Sequence, residues 1–303
     1  MTPGSDQHLD PGVWGVVATP FDDTLTVDTG SLSRLVGHYA HIGVQGLTVL
    51  GVFGEAAALS RAERSTVLHT VVDVVDLPLV VGLTSLATAP AIEEAEAVLE
   101  VAGSRVAALM VQVNSADPAT TTAHLRGIAQ ATGTPLVIQD YPVASGVTIP
   151  GPALRQVVAD LTAAGAAAAV KAEAPPTPPA IALLADQDVP VFGGLGGIGL
   201  LDELACGSAG AMTGFSFPEA LQECVAAYRS GGYPAARAVY APYLPLVNFE
   251  QQARIALAIR KACLVVRGLI DSGAVRPPAA ALPERLRPIL RQHMDAVTEL
   301  RRT

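Results

Sequence analysis

The chain has 303 residues, half of them hydrophobic and 16% charged, with a formal net charge of -9 and a pI of about 5.1. The negative surplus weighs against nucleic acid or an anionic membrane surface as the main partner, and no apolar run approaches the length that crosses a bilayer. The polar stretch Met1–Asp10 lacks the basic-then-apolar layout of a signal peptide, so a cytoplasmic protein with one large α/β domain or two small ones is expected.

Along the chain, short apolar, β-branched runs alternate with helix-length segments. Val13–Phe21 reads as a first strand, and Asp28 or Thr29 then starts a helix over Ser31–His41. Gly46–Val52 is the second strand, and Ser60 caps a helix over Arg61–Val74. Pro78–Ser85 precedes a helix over Ala91–Val101. Val106–Val113 precedes one over Thr120–Ala131, announced by Asp117-Pro118. Pro135–Pro142 leads to Pro150 and a helix over Gly151–Leu161. Ala166–Lys171, Pro190–Gly194 and Gly207–Phe215 complete the set of strands. Runs such as Val80-Val81 and Val137-Ile138 are apolar at successive positions, as in strands buried on both faces. Eight βα units in series predict a (β/α)8 TIM barrel over 1–231, with a doubly wound open sheet as the competing fold. From 232 to 303 the pattern is helical only, over Pro234–Val247, Glu250–Ile270 and Pro283–Leu300. This is a C-terminal extension suited to pack on the barrel or to form a subunit contact.

Lysine is rare here: Lys171 and Lys261 are the only two among 19 cationic side chains. Lys171 ends the apolar run Ala166–Val170, where a solvated lysine is out of place. A desolvated amine loses its charge more readily and becomes a nucleophile, which a guanidinium cannot do. The competing reading is a strand-end lysine with its head in solvent. Glu173, two residues on, shares a strand face with Lys171 if the strand continues, either to move protons or as a plain ion pair. In the fifth strand the same alternation puts Val137, Gln139 and Tyr141 on one face. Tyr141 is then a candidate proton carrier at the barrel mouth, or an interior tyrosine that is merely satisfied.

Gly51-Val52-Phe53-Gly54-Glu55 ends the second strand, with glycines that let backbone approach a ligand. Gly194-Leu195-Gly196-Gly197-Ile198-Gly199 spells GxGxxG, but after the seventh strand rather than the first. A backbone-lined anion pocket at Gly194, Gly196 and Gly197 fits better than a dinucleotide fingerprint, and a tight turn is the plainer alternative. Cys206, Cys224 and Cys263 form no CxxC pair. His8, His38, His41, His69, His124 and His293 show no metal-ligand spacing. No metal and no cofactor are expected.

Ala18-Thr19-Pro20-Phe21 with Val27-Asp28, Gly51 to Glu55 with Leu59-Ser60 and Glu63-Arg64, Tyr141-Pro142 with Gly146, Val170-Lys171, and Gly207 to Gly214 span most of the chain. Together they resemble the dihydrodipicolinate synthase / N-acetylneuraminate lyase superfamily of Schiff-base lyases. The resemblance implies an eight-stranded barrel with C-terminal helices, usually a homotetramer, with a dimer as the other option. It also implies Lys171 as the residue forming an imine with pyruvate or another 2-oxo acid. Thr19, Val52, Phe53, Gly54, Gln139 and the 193–197 loop are the candidate substrate contacts. Departures are equally plain. Val52 and Phe53 replace two threonines, and Gln139 stands where the family has a tyrosine. A second tyrosine position falls near Val113, and Ala144 takes the place of an arginine that grips a second substrate.

These features lead to a cofactor-independent lyase, an aldolase or dehydratase, acting through Lys171 with Tyr141 or Glu173 handling protons. The alternatives are 4-hydroxy-tetrahydrodipicolinate synthase proper and a non-catalytic 2-oxo-acid-binding relative.

Overall fold

The computed structural model describes residues 8–302, so residues 1–7 of the polar N-terminal stretch lie outside the described residues. Eight strands, β1 (Gly12–Val16), β2 (Gly46–Val49), β3 (Leu79–Gly82), β4 (Val106–Gln112), β5 (Leu136–Asp140), β6 (Ala167–Ala172), β7 (Val191–Gly193) and β8 (Gly210–Thr213), pair in parallel in sequence order. β8 returns to β1 and closes the barrel. Closure leaves two separate cores. Trp14, Val80, Met110, Val137, Phe192 and Met212 fill the barrel interior. The opposite strand faces, among them Val81, Leu109, Ile138, Val170 and Ala172, pack under the helical ring. Each strand is apolar on both sides because each side meets a core, as all-parallel sheets require.

The helix starts follow local chemistry. Asp28 accepts from the Ser31 N–H ahead of Thr29–His41, Ser60 and Glu63 form a capping box ahead of Arg61–Val74, and Asp117 caps Pro118–Thr132. The strands are shorter than the apolar runs. β1 stops at Val16, and Phe21 instead forms an isolated antiparallel bridge with Val27. β8 covers only Gly210–Thr213 of the expected Gly207–Phe215. Burial continues past β1 through Phe21 and past β8 through Phe215, beyond the last strand residues, so hydrophobicity overestimates strand length.

Helix Pro218–Tyr240 kinks at Gly232, whose φ of 68° is left-handed, so the proposed division at 231/232 falls inside one helical run. The expected helix Glu250–Ile270 forms only over Ala256–Val266; Glu250 instead ends the preceding helix Leu244–Glu250, and a turn with Arg254 at φ 70° separates the two. Side chains take over at this break. Gln252 Nε2 donates to Phe249 O at 3.1 Å, and Gln251 Nε2 reaches Leu195 O at 2.5 Å, in the loop after β7. Tyr240 Oη donates to Gly197 O at 3.0 Å, so the C-terminal helices clasp the same loop twice. Among the described residues, no helix is long and apolar enough to cross a membrane.

Candidate active site

β6 carries small side chains up to Val170 and is buried throughout, so Lys171 enters the barrel interior with only 5% of its surface exposed. Strand alternation puts Ala169, Lys171 and the following Glu173 on the inner face, because Val170 and Ala172 belong to the outer core. Lys171 Nζ lies 3.1 Å from Glu173 Oε2. Gln139, the register partner of Lys171 on β5, donates from Nε2 to the same oxygen at 2.6 Å. An amine, a carboxylate and an amide therefore converge in a nearly dry space. Gly194 makes this possible, since a Cβ there would overlap Glu173 Cγ.

The loop 51–54 is bracketed by two non-glycine residues in the left-handed region, Leu50 at φ 56° and Glu55 at φ 53°. Such conformations persist only where surrounding structure enforces them. Thr19 Oγ1 donates to Gly54 O at 2.7 Å, so this candidate contact spends its hydroxyl holding the loop. Glu55 accepts from Lys261 Nζ and from the Arg276 N–H, both in the C-terminal region. The N–H groups of Val52, Phe53 and Gly54 donate to no group among the described residues. Val52 is exposed and lines a cavity of about 800 Å³ at the barrel mouth, together with Gly51, Met110, Gln112, Gln139 and Ala144. Phe53 turns inward over Gly214, where a Cβ would come within 2.6 Å of its ring.

Tyr141 does not continue β5. The strand ends at Asp140, and Tyr141 precedes the short helix Pro142–Ser145 with φ -134° and ψ 83°. Alternation therefore stops short of it. Its hydroxyl has no hydrogen-bond partner among the described residues. Burial, and then the charge of Glu173, push its pKa up, while Arg260 opposes the rise. No hydrogen bond joins Tyr141 to the Lys171–Glu173–Gln139 cluster among the described residues.

The glycine loop works differently from the backbone anion pocket expected at Gly194, Gly196 and Gly197. Its amides are already committed. Gly194 N donates to Ala172 O at 3.1 Å, Gly196 N to Thr213 Oγ1 at 2.6 Å and Gly197 N to Gly194 O at 3.1 Å. The glycines instead make sockets: Gly194 for Glu173, Gly196 for Gln251 and Arg260, and Gly197 for Tyr240. Missing Cβ atoms, not free N–H groups, explain the run.

Several residues here carry no sequence signal. Glu203 is fully buried, bonded by Thr177 Oγ1 at 2.5 Å, and its pKa is pushed up to about 7 by burial, with Glu173 adding to the rise. Asp140, also buried, is pushed up to about 6 by burial and then by Glu173. Lys261 is wholly buried, more so than Lys171. It donates to Glu55 and to Ala274 O at 2.8 Å, lies 4.2 Å from the Phe21 ring centre, and has its pKa lowered by burial. Arg260, from helix Ala256–Val266, reaches over Phe53 at 5.6 Å and against Gly196. Arg260 and Lys261 come from a helix that returns to the barrel from far along the chain, and the burial of Asp140 and Glu203 is set by packing that no local pattern announces.

A closed parallel barrel whose sixth strand delivers a buried lysine beside a carboxylate defines a class: (β/α)8 enzymes with an amine at the C-terminal ends of the strands. Comparison with known proteins narrows this. A sequence profile of the Dihydrodipicolinate synthetase family matches residues 10–297. An L-2-keto-3-deoxyarabonate dehydratase of Azospirillum brasilense is 28% identical over 296 residues, covering 94% of this chain and 93% of that protein. A 4-hydroxy-tetrahydrodipicolinate synthase of Methanothrix thermoacetophila is 26% identical over 299 residues, covering 96% and 99%. The crystal structure of dihydrodipicolinate synthase from Rhodopseudomonas palustris superposes with a TM-score of 0.86 at 28% identity, covering 94% of this chain and 97% of that one. The chain belongs to the dihydrodipicolinate synthetase family, and it is a lyase of the class I, Schiff-base kind.

Proposed function

We propose that the chain dehydrates a 3-deoxy-2-oxo acid through an imine on Lys171, with Glu173 as the proton carrier. The observation that carries this is the 3.1 Å contact between Lys171 Nζ and Glu173 Oε2 inside the barrel, with Gln139 fixing the same carboxylate oxygen. The Lys171 amine adds to the C2 carbonyl and water leaves, giving an iminium that serves as an electron sink. Glu173 removes a proton from C3, and the electrons of that bond form the enamine. The enamine then expels the C4 hydroxyl, which takes the proton from Glu173 and departs as water. Hydrolysis of the remaining imine frees the unsaturated 2-oxo acid and restores the amine. The free N–H groups of Val52, Phe53 and Gly54 suit the substrate carboxylate.

One carboxylate serving both proton steps favours elimination, and the dehydratase of Azospirillum brasilense is named for a substrate of this class. Condensation of pyruvate with aspartate semialdehyde is disfavoured, because Phe53, Val113, Gln139 and Ala144 replace the groups that reaction uses in the resembling family.

The test is intact mass after borohydride reduction with a panel of 2-oxo acids, followed by peptide mapping. We expect one adduct, on Lys171, and none in Lys171→Arg. An adduct on Lys261, or none with any oxo acid, removes the mechanism. Release of an unsaturated 2-oxo acid from a 3-deoxy-2-oxo acid supports dehydration; release of pyruvate points to aldol cleavage. Turnover of pyruvate with aspartate semialdehyde in the ordinary enzyme range, about 1–10³ per second, would return the reading to synthase proper.

A further inference from the structure

Arg260 presents an energetic anomaly. Its side chain is only 12% exposed, yet none of its five N–H donors makes a hydrogen bond to any described residue. Buried donors are almost always satisfied, and an exception needs an explanation. Glu250 supplies a counter-charge, but its Oε2 is 3.5 Å from Arg260 Nε and is already engaged by the Ser216 backbone at 3.3 Å. Nε is the sealed nitrogen, so the residual exposure lies elsewhere on the side chain. The terminal nitrogens point the other way. Nη2 is seated against Gly196, where any Cβ would collide with it, and the guanidinium lies 5.6 Å from the Phe53 ring centre. Gly196 is two residues from Gly194, the socket of Glu173, and Phe53 belongs to the loop whose N–H groups are free. The unspent guanidinium and the unspent amides thus meet at Phe53, and Gly196 ties the same guanidinium to the loop that seats Glu173.

We propose that Arg260 is a substrate-binding residue whose terminal nitrogens grip the C1 carboxylate of the 2-oxo acid held at Lys171. The identity of the ligand rests on the imine reading above. A forked guanidinium matches a carboxylate better than any other side chain here, and its charge persists where an amine would give up its proton. Glu250 then acts as the support that aims the guanidinium, and the glycine at 196 is the space that admits it.

Pyruvate and methyl pyruvate separate this from a purely structural role, since the two ketones differ in the carboxylate charge. Half-saturating concentrations for borohydride trapping are measured with both, in wild type, Arg260→Met and Arg260→Lys. Loss of a charged hydrogen bond predicts about 10–10²-fold weaker trapping of pyruvate in Arg260→Met, with methyl pyruvate unchanged. Arg260→Lys, which keeps the charge beside Glu250 but not the fork, should recover part of the loss, and it carries the comparison if the Met variant fails to fold. Equal weakening of both ketones, or no weakening of either, overturns the assignment. With 2-oxoglutarate run as a third ketone, weakening confined to it overturns the assignment too, in favour of a role at the far end of the substrate. If wild type traps no oxo acid, the imine reading is what has failed. Calorimetric titration of pyruvate into Lys171→Ala, with and without Arg260→Met, then decides for Arg260. Binding lost only with Arg260 supports the assignment; binding that persists without Arg260, or is absent from both, overturns it.

Discussion

Two side chains compete for the role of proton carrier, and their surroundings separate them. Glu173 contacts the Lys171 amine directly, at 3.1 Å, whereas the Tyr141 hydroxyl contacts no described residue. A phenol whose pKa burial raises gives up its proton less readily than a free one. Glu173→Gln should therefore lower kcat by about 10²–10⁴-fold, the usual contribution of general acid–base catalysis. Tyr141→Phe should change it much less. Reversal of that order in steady-state assays would transfer the role to Tyr141. A second prediction concerns Glu203. Its folded pKa of about 7 exceeds the ordinary 4.5, so the folded state binds the proton more tightly than the unfolded chain does. Stability contributed by that proton is present below pH 4.5 and is lost as pH rises through about 7. Glu203→Gln cannot ionise, so its stability relative to wild type should grow by about 3 kcal/mol between those limits. Parallel urea midpoints across the range would show that the buried carboxyl is not held neutral.

At the scale of elements, the loops after β2 and β7 are shaped by what is packed against them. The loop after β7 is a row of sockets, so Gly194→Ala should displace Glu173 and reduce turnover far more than it reduces the thermal midpoint. Unchanged kcat in that variant would mean that Glu173 has no fixed position to lose. The loop after β2 is held through Glu55 by a buried lysine. Lys261→Met leaves the Glu55 carboxylate buried and facing only the Arg276 amide, an exchange that costs about 3–5 kcal/mol when a buried ion pair loses one partner. Urea denaturation measures this directly, and a loss below 1 kcal/mol would show that the pair contributes little. Here the sequence misleads. The rarity of lysine draws attention to Lys171, but burial is greater at Lys261. What distinguishes them is saturation: Lys261 meets a carboxylate, a carbonyl and an aromatic face, while Lys171 meets one carboxylate.

For the molecule as a whole, the family resemblance implies a dimer or tetramer, so light scattering should give two or four times the 31.0 kDa chain mass. A single-chain mass at working concentration would show that the site is complete within one chain. The C-terminal helices are integral to the site already described, since Tyr240, Gln251, Arg260 and Lys261 all reach loops at the barrel mouth.

What the sequence determined by itself follows from local physics. Eight apolar runs separated by capped helices specify a parallel barrel, because strands buried on both faces and linked by helices have few other ways to close. Strand alternation places Glu173 beside Lys171, because backbone pairing persists one residue past β6, where Glu173 N donates to Asp140 O at 2.9 Å. The same rule applied to Tyr141 reached past the last paired residue of β5, where no ladder enforces the period. The glycine run was visible as letters, but its meaning was decided by Glu173, Arg260 and Tyr240, side chains that arrive from other elements. Only the tertiary structure could make those meetings, because contacts between residues tens of positions apart leave no period, cap or spacing in the chain.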